Sequence, residues 1–332
     1  MATTRKPATL VDVARLAGVA HQTVSRVVNG SDAIRPRTRA LVETAMAELD
    51  YHPNLAARAL ATSRPHRIGA LASEILERSP LRVINAAAET AREFGYVLDI
   101  VSVDPQDAVS LTQAIDTMNA SQPAGVFVMT PTDLVMSLVS PDRFNVPSVF
   151  ERNGDSIATD DDLDHYSYAL VVDHLLDLGH RAICHVAGPA STPAARAREA
   201  CLFRRVGLAG GHASVMGGGD WSSAWGYRAG QSIDVDGVTA IAAANDQIAL
   251  GLLRALDERG VRVPQDVSVS GFDDIPESGY FQPPLTTVAV NVEAIGRGAL
   301  LELLAELDGV EAPMPERVAR LVVRASTAPV RN

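Results

Sequence analysis

The chain lacks any apolar run approaching the ~18 residues that a membrane-spanning helix needs. Its opening residues, Met1-Ala2-Thr3-Thr4-Arg5-Lys6-Pro7, lack the apolar core of a secretory signal, so a cytoplasmic protein is expected. Two cysteines, Cys184 and Cys201, supply neither a disulfide framework nor a metal-ligand set, and their apolar surroundings predict buried, reduced thiols. Phosphate-loop chemistry is missing too: Gly217-Gly218-Gly219 has neither the GxGxxG nor the GKS/T pattern. His180 and His185 flank an expected strand with no nucleophile at informative spacing, and Asp160-Asp161-Asp162 reads as an exposed acidic loop. These absences predict no catalysis, no metal and no cofactor.

What is present fits a globular protein of one large or two to three ordinary domains, with 47% hydrophobic and 21% charged residues in 332. The net charge of −11 argues against a nucleic-acid partner until its distribution is considered. Residues 1–66 carry nine Lys/Arg against five Asp/Glu, so the head is locally basic and the remainder strongly acidic. A basic head on an acidic body predicts a confined polyanion footprint, with the body repelling the same partner.

The head has strong local signals. Thr9 and Asp12 have the spacing of a capping pair that opens a helix over 10–16, and Gly18 supplies a turn. A second helix is expected over 21–28, with Val24, Val27 and Val28 facing a small core. That leaves His21, Gln22, Ser25, Arg26 and Asn29 outward; taken alone, such a face is what any solvated helix shows. Pro36 suits the first turn of a third helix to about 49, with Leu41, Val42, Ala45, Met46 and Leu49 as its buried stripe. Helix, glycine turn, polar-faced helix and basic surroundings together read as a helix-turn-helix. Beyond it, Asn54 can cap a short alanine-rich segment that is marginal alone, either an ordinary linker helix or a hinge that orders only on DNA.

Gln22-Thr23-Val24-Ser25-Arg26-Val27-Val28-Asn29 and Ala45-Met46-Ala47-Glu48-Leu49-Asp50-Tyr51-His52-Pro53-Asn54 resemble the head of lactose/galactose-repressor-type transcription factors. The resemblance continues through His180, Ala187-Gly188-Pro189, Gly219-Asp220-Trp221-Ser222, Ala244-Asn245-Asp246-Gln247 and Ser270-Gly271-Phe272-Asp273-Asp274. It implies that His21, Gln22 and Arg26 read base edges in a major groove, while Thr23, Ser25, Asn29 and Thr38 steady the phosphate backbone. It further implies a paired hinge helix in the minor groove, capped by Asn54, with Leu60 wedged between base pairs and Ala57 packed beside it. Two positions depart from the family: Ala20 and Arg35 replace the usual serine caps, each loss costing about 1 kcal/mol of helix stability.

From residue 67 onward, apolar strand-like runs at 68–72, 97–103, 125–129, 148–150, 182–187, 238–243, 267–270 and 286–290 alternate with helical stretches. The helices are expected at 86–93, 111–119, 168–178, 196–206 and 248–259. This alternation predicts parallel sheets covered by helices on both faces. Polar residues at strand ends, Ser73, Arg198, Asn245 and Asp273, are ligand candidates, whereas Asp246 reads as a helix cap. Arg198, Asn245 and Asp273 supply donors and acceptors suited to vicinal hydroxyls. Trp221 is either core or a flat apolar face for a sugar ring.

The resemblance divides the body into two lobes of the periplasmic-binding-protein type, with crossovers near 163, 291 and 322, and puts Trp221 at a sugar-facing position. Against the family precedent, Glu77 stands for an apolar wall residue, Arg152 for an aspartate that the neighbouring Glu151 could replace, and Met129 for an asparagine. Those charges fit a more polar or anionic effector, or an internal Glu77–Arg152 pair.

The expected fold is an all-α helix-turn-helix head with a hinge helix, followed by a type I periplasmic-binding-protein-like α/β core with two lobes and parallel sheets. The expected domains are 1–52 for DNA binding, 53–66 for the hinge, 67–163 with 292–322 for one lobe, and 164–291 with 323–332 for the other. The expected function is a sequence-specific repressor of palindromic operators, controlled by a small-molecule effector, most simply a sugar. The chain shows no trailing leucine heptad after its last strand-like run at 320–325, which favours a homodimer. A regulator with a non-sugar or anionic effector or corepressor is the alternative. A sugar-binding transport protein shares the body fold but not the basic head.

Overall fold

The computed structural model describes residues 8–28, 33–51, 65–72, 78–129, 132–151, 167–309 and 319–330. They fall into two compact units, residues 1–66 and residues 67–332.

In the first unit, α1 (Leu10–Ala17) opens at a reciprocal cap. Thr9 Oγ1 accepts from the Asp12 N–H at 3.3 Å, and Asp12 Oδ2 accepts from the Thr9 N–H at 3.0 Å. These bonds satisfy donors that the first helical turn leaves unpaired. The helix ends at Gly18, whose φ of 66° is the left-handed conformation that glycine adopts at little cost. α2 (His21–Val28) starts on the Ala20 carbonyl, and α3 (Pro36–Glu48) starts behind Arg35, whose side chain makes no cap bond. Val13, Ala14, Val24, Val27, Val42 and Ala45 form the core between the three helices. Leu41 departs from the expected stripe and is 50% exposed. It lies 100° around the helix from Val42, outside the narrow face that two short neighbours can cover.

The second unit contains two four-stranded parallel sheets of identical winding. The first has the order β2-β1-β3-β4, from β1 (Arg67–Ala72), β2 (Val97–Ser102), β3 (Gly125–Val128) and β4 (Ser148–Phe150). α4 (Arg78–Glu93), α5 (Ala108–Ser121) and α6 (Asp133–Leu138) flank it. The second has the order β6-β5-β7-β8, from β5 (Ala182–Val186), β6 (His212–Met216), β7 (Ala240–Ala243) and β8 (Ser268–Ser270). Its helices are α7 (Ala169–Asp177), α8 (Pro193–Leu208), α9 (Ser223–Ser232) and α10 (Asp246–Glu258). Helices on both faces explain why the inner strands are largely apolar and buried: Ile68, Ala70, Leu71 and Ala72 of β1 are buried, as is all of β7, and in β8 even the two serines are buried. Both thiols are buried in the second sheet's cores.

The sheets are built from non-contiguous chain. β9 (Thr287–Val290) lies beside β8, bridging Ser270 to Thr286 and Asp273 to Ala289. α11 (Val292–Asp308) then packs on the first sheet, where Val292, Leu300 and Leu303 share a core with Ile68, Val83 and Phe127. β10 (Ala319–Val322) pairs antiparallel with β9, after which Ser326 bonds to Val269 of the second sheet. His180 pins the same tail, with Nε2 3.0 Å from the Ala328 carbonyl and Nδ1 2.9 Å from Thr239 Oγ1. No helix among the described residues is long and apolar enough to cross a membrane.

Four elements carry no sequence expectation: α6, β6, α9 and α11. β6 is an edge strand of only partly buried residues, so it shows no continuous apolar run. α9 contains Gly226 and Gly230, which read as loop, yet small residues let it lie directly on α10. A Cβ at Gly251 of α10 would fall 1.8 Å from the Ser223 carbonyl oxygen of α9. Gly251→Ala therefore pits a helix-propensity gain of about 1 kcal/mol against a backbone clash that forces the helices apart. Overpacking of this kind costs about 1–3 kcal/mol or more, so the variant is expected to lose stability on balance. Urea unfolding is the check: a midpoint at or above that of the parent would show the helices are free to separate.

Candidate functional site

In the first unit, Val24 and Val27 anchor α2 in the core, which fixes the helix's rotation. His21, Gln22 and Arg26 are exposed on the opposite side, with Thr23 and Ser25 half-buried at its edges. Thr38, near the start of α3, is half-buried. The first turn of α2 carries no acidic residue, so the partial positive charge of its amino end is not cancelled from within. Gln22 and Arg26 have the fork geometries that match adenine and guanine edges. Asn29, Asn54, Ala57 and Leu60 lie outside the described residues.

In the second unit, Arg198, Trp221, Asn245 and Asp273 converge at the carboxyl ends of β5, β7 and β8. Arg198 projects from α8, with its Cζ 4.2 Å from the Phe272 ring centroid and 5.1 Å from that of Trp221. Its Nη1 donates to the Ala244 carbonyl at 2.5 Å, and its Nη2 lies 3.8 Å from Asp273 Oδ1. Trp221 is half-buried and packs on the second sheet's core while one face meets the guanidinium. It therefore packs against the core, one of the two roles expected for it, while its ring also borders the polar cluster. Phe272 was not foreseen as a site residue. It follows Gly271 beyond β8, where strand alternation no longer says which way a side chain points.

The helix cap is Asn245, not Asp246 as its position suggested. Asn245 has extended backbone, its Oδ1 accepts from the Ile248 N–H at 2.8 Å, and its Nδ2 donates to the Trp221 carbonyl at 3.2 Å. Asp246 already lies in the first turn and points inward, where it accepts from Ser278, Thr287 and the Ile275 N–H. Burial, opposed by those donors, pushes its carboxyl up to about 7. Asn245 retains one amide hydrogen after capping, so it can still face a ligand. Asp273 has φ of 106°, a conformation that costs a non-glycine residue on the order of 1–3 kcal/mol and is typical of functional sites.

Ser73, Glu77 and Arg152 lie outside the described residues. Met129 and Glu151, at the ends of β3 and β4, are both buried. Beside this end of the sheets, the two halves touch. Arg196 of α8 makes a bidentate pair with Asp133 of α6, at 2.8 and 2.9 Å. The Asp133 N–H donates to the Ser191 carbonyl at 2.9 Å. This contact was not foreseen, because nothing local links residues so distant in the chain.

His185 lies inside β5 rather than flanking it, and is fully buried. Burial is the main cause that pushes its imidazole down to about 4.

A polar-faced helix on a small three-helix unit, joined to two parallel sheets with a charged, aromatic-walled cluster at their strand ends, defines a ligand-responsive regulator. Residues 9–54 match the family described as bacterial regulatory proteins, lacI family, and residues 172–327 match a periplasmic binding protein-like domain. The lactose operon repressor of Escherichia coli (strain K12) is 34% identical over 304 residues, 90% of this chain and 84% of that protein. The HTH-type transcriptional repressor PurR of Erwinia tasmaniensis is 33% identical over 90% of this chain and 89% of its own. The solved lac repressor dimer bound to operator and the anti-inducer ONPF matches with a TM-score of 0.82 at 32% identity, covering 97% of this chain and 100% of that one. A transcriptional regulator CelR–cellobiose complex matches at a TM-score of 0.69 and 27% identity, over 96% and 99% of the two chains. The chain belongs to the lacI family of bacterial regulatory proteins.

The buried imidazole makes a pH prediction. His185 is neutral in the fold down to about 4 but takes a proton near the ordinary imidazole value of 6.5 once unfolded. In that window the unfolded chain binds more protons, so the stability His185 contributes is full above 6.5 and is lost as the pH falls toward 4. His174 and His180, whose imidazoles are also lowered chiefly by burial, add in the same direction. Chemical unfolding between pH 7 and 4 should show a shallower acid decline for His185→Leu than for the parent; parallel declines would place the imidazole's titration elsewhere.

Proposed function

We propose that the chain is an operator-binding transcriptional repressor that acts as a homodimer in the cytoplasm and is controlled by a small effector held between the two sheets. The observation that carries this reading is the exposed His21–Gln22–Arg26 edge of α2, fixed in place by Val24 and Val27 beneath it. In this reading His21, Gln22 and Arg26 contact base edges, and Thr23, Ser25, Asn29 and Thr38 contact phosphates. Asn54 caps the hinge, and Ala57 and Leu60 work in the minor groove. The domain limits are then 1–52, 53–66, 67–163 with 292–322, and 164–291 with 323–332. A homodimer places two heads on two half-sites of a palindrome. The relatives support this: one is a lactose operon repressor, and one solved neighbour is a dimer on its operator.

The effector we propose is a sugar. Arg198, Asp273 and Asn245 offer donors and acceptors around the face of Trp221, the mixture that recognises a polyhydroxylated ring. In this reading Ser73, Glu77 and Arg152 also contact the effector. A neighbour described as a cellobiose complex supports the class. Glu77 and Arg152 add charges the family precedent lacks, so sugar acids and sugar phosphates belong in the trial set. Binding closes the lobes and shifts the affinity for DNA, and a sugar ligand favours release.

The deciding experiment is selection of bound genomic DNA by the purified protein, with and without lactose, cellobiose, sugar acids and sugar phosphates. A palindromic motif lost on adding one of them is expected. No enriched motif would refute the operator reading, and a motif indifferent to every carbohydrate would refute the sugar. In the same assay Arg26→Ala should abolish discrimination between operator and random DNA while much salt-sensitive binding survives. Equal loss of both would remove Arg26 from base reading.

A further inference from the structure

Beneath the Arg198–Phe272 contact, the second sheet carries polar groups that the cleft cluster leaves unused. His185, Ala242 and Ser270 are in-register neighbours on β5, β7 and β8, so their side chains project from one face of the sheet. His185 and Ser270 are both fully buried there. His185 Nδ1 lies 2.9 Å from the Ala242 carbonyl oxygen and 3.1 Å from the Tyr168 hydroxyl. That hydroxyl gives its own proton to the Ala243 carbonyl, at 3.1 Å. A carbonyl can only accept, so Nδ1 carries the ring proton and Nε2 presents a bare lone pair.

Among the described residues, neither His185 Nε2 nor Ser270 Oγ has a hydrogen-bond partner. Buried polar atoms are rarely left so, and unpaired ones mark where an outside group completes a network. The small Ala242 side chain stands between the two positions. The group that complements them is an O–H, which donates to Nε2 and accepts from the serine hydroxyl.

This layer adjoins the cleft. The Tyr168 ring lies 5.6 Å from His185 and 5.5 Å from Phe272, and Phe272 carries the Arg198 guanidinium at 4.2 Å. Burial does not set the layer apart, because Asn245 and Asp273 of the cleft cluster are themselves only 4% and 8% exposed.

We propose that His185 Nε2 and Ser270 Oγ form a hydroxyl subsite at the inner end of the effector cleft, which takes one O–H of a polyhydroxylated effector. The Ala242 carbonyl holds the imidazole in the accepting tautomer, and the Tyr168 ring packs edge-on against it. The subsite selects ligands with a hydroxyl at one ring position over the same ligands lacking it. It rests on the sugar reading given above. A resident water offers the same O–H chemistry, so the test must separate the two sources.

The test is calorimetric titration of the full chain with lactose, cellobiose, galactose and the singly deoxygenated galactoses. The proteins are the parent, His185→Leu, His185→Gln and Ser270→Ala. The subsite predicts that His185→Leu and Ser270→Ala each weaken a bound sugar about three- to tenfold, and that His185→Gln, whose amide oxygen can accept, restores part of the loss. One deoxy sugar should bind the parent weakly and be indifferent to all three substitutions, the signature of a shared interaction. Ser270→Ala removes a single atom and keeps the test readable should His185→Leu fail to fold. Variants that melt earlier yet bind every sugar like the parent would show a resident water and overturn the subsite alone. Failure of every carbohydrate to bind the parent would overturn the sugar reading and the subsite together.

Discussion

The Asp246 carboxyl is buried at the first turn of α10, where it accepts from the Ser278 hydroxyl at 2.5 Å, the Thr287 hydroxyl at 2.6 Å and the Ile275 amide at 2.9 Å. Those donors come from the loop after β8 and from β9, the strand by which the chain leaves the second sheet. One side chain therefore ties together the helix end that carries Asn245, the loop that carries Phe272 and Asp273, and a passage between the sheets. The loop is further held by Arg324, which donates to Asp274 at 2.7 Å. Asp273 and Asp274 both keep positive φ, and such strain persists only where the surroundings over-determine it. A movement of α10 against β9 must be felt at Asn245 and Asp273, and a ligand held there must in turn bias that movement.

The two sheets are joined by the chain passages at β9 and β10 and meet again at the Asp133–Arg196 pair. Both members of that pair are about half exposed, so it contributes little energy on its own. Its value is geometric, since a bidentate contact has one alignment and breaks when the halves part. The same economy holds in the head. Two caps that the family usually supplies with serine are absent, and Arg35 makes no cap bond. Three short helices sharing six buried side chains have little stability to spare.

Local chemistry makes the head legible in the sequence itself. The Thr9–Asp12 cap, the Gly18 turn and Pro36 each act within a few residues, and each is found where the sequence put it. Most strands of the body were equally legible, because burial on both faces leaves an uninterrupted apolar run. The losses share a cause. α9 and α11 hide behind glycines whose purpose is contact with another helix, and β6 is an edge strand with little to bury. Asp246 looks like a cap because a carboxylate at a helix start usually is one; only the arrival of Ser278 and Thr287 from elsewhere shows otherwise. Arg198, Trp221, Asn245 and Asp273 were individually visible at strand ends. Phe272, which sets the guanidinium's position, and His185, mistaken for a residue beside the strand, needed the fold.

If the α2 unit and the effector cluster are two halves of one switch, the two sites must be thermodynamically linked. The affinity of a carbohydrate that raises the protein's melting temperature should be measured for the free repressor and for the repressor saturated with its selected operator. Coupling between the sites requires the same factor in both directions, so operator-bound protein should bind the sugar about five- to a hundredfold more weakly, and the sugar should weaken the operator by an equal factor. Identical sugar affinities with and without operator would show that the two sites are not coupled.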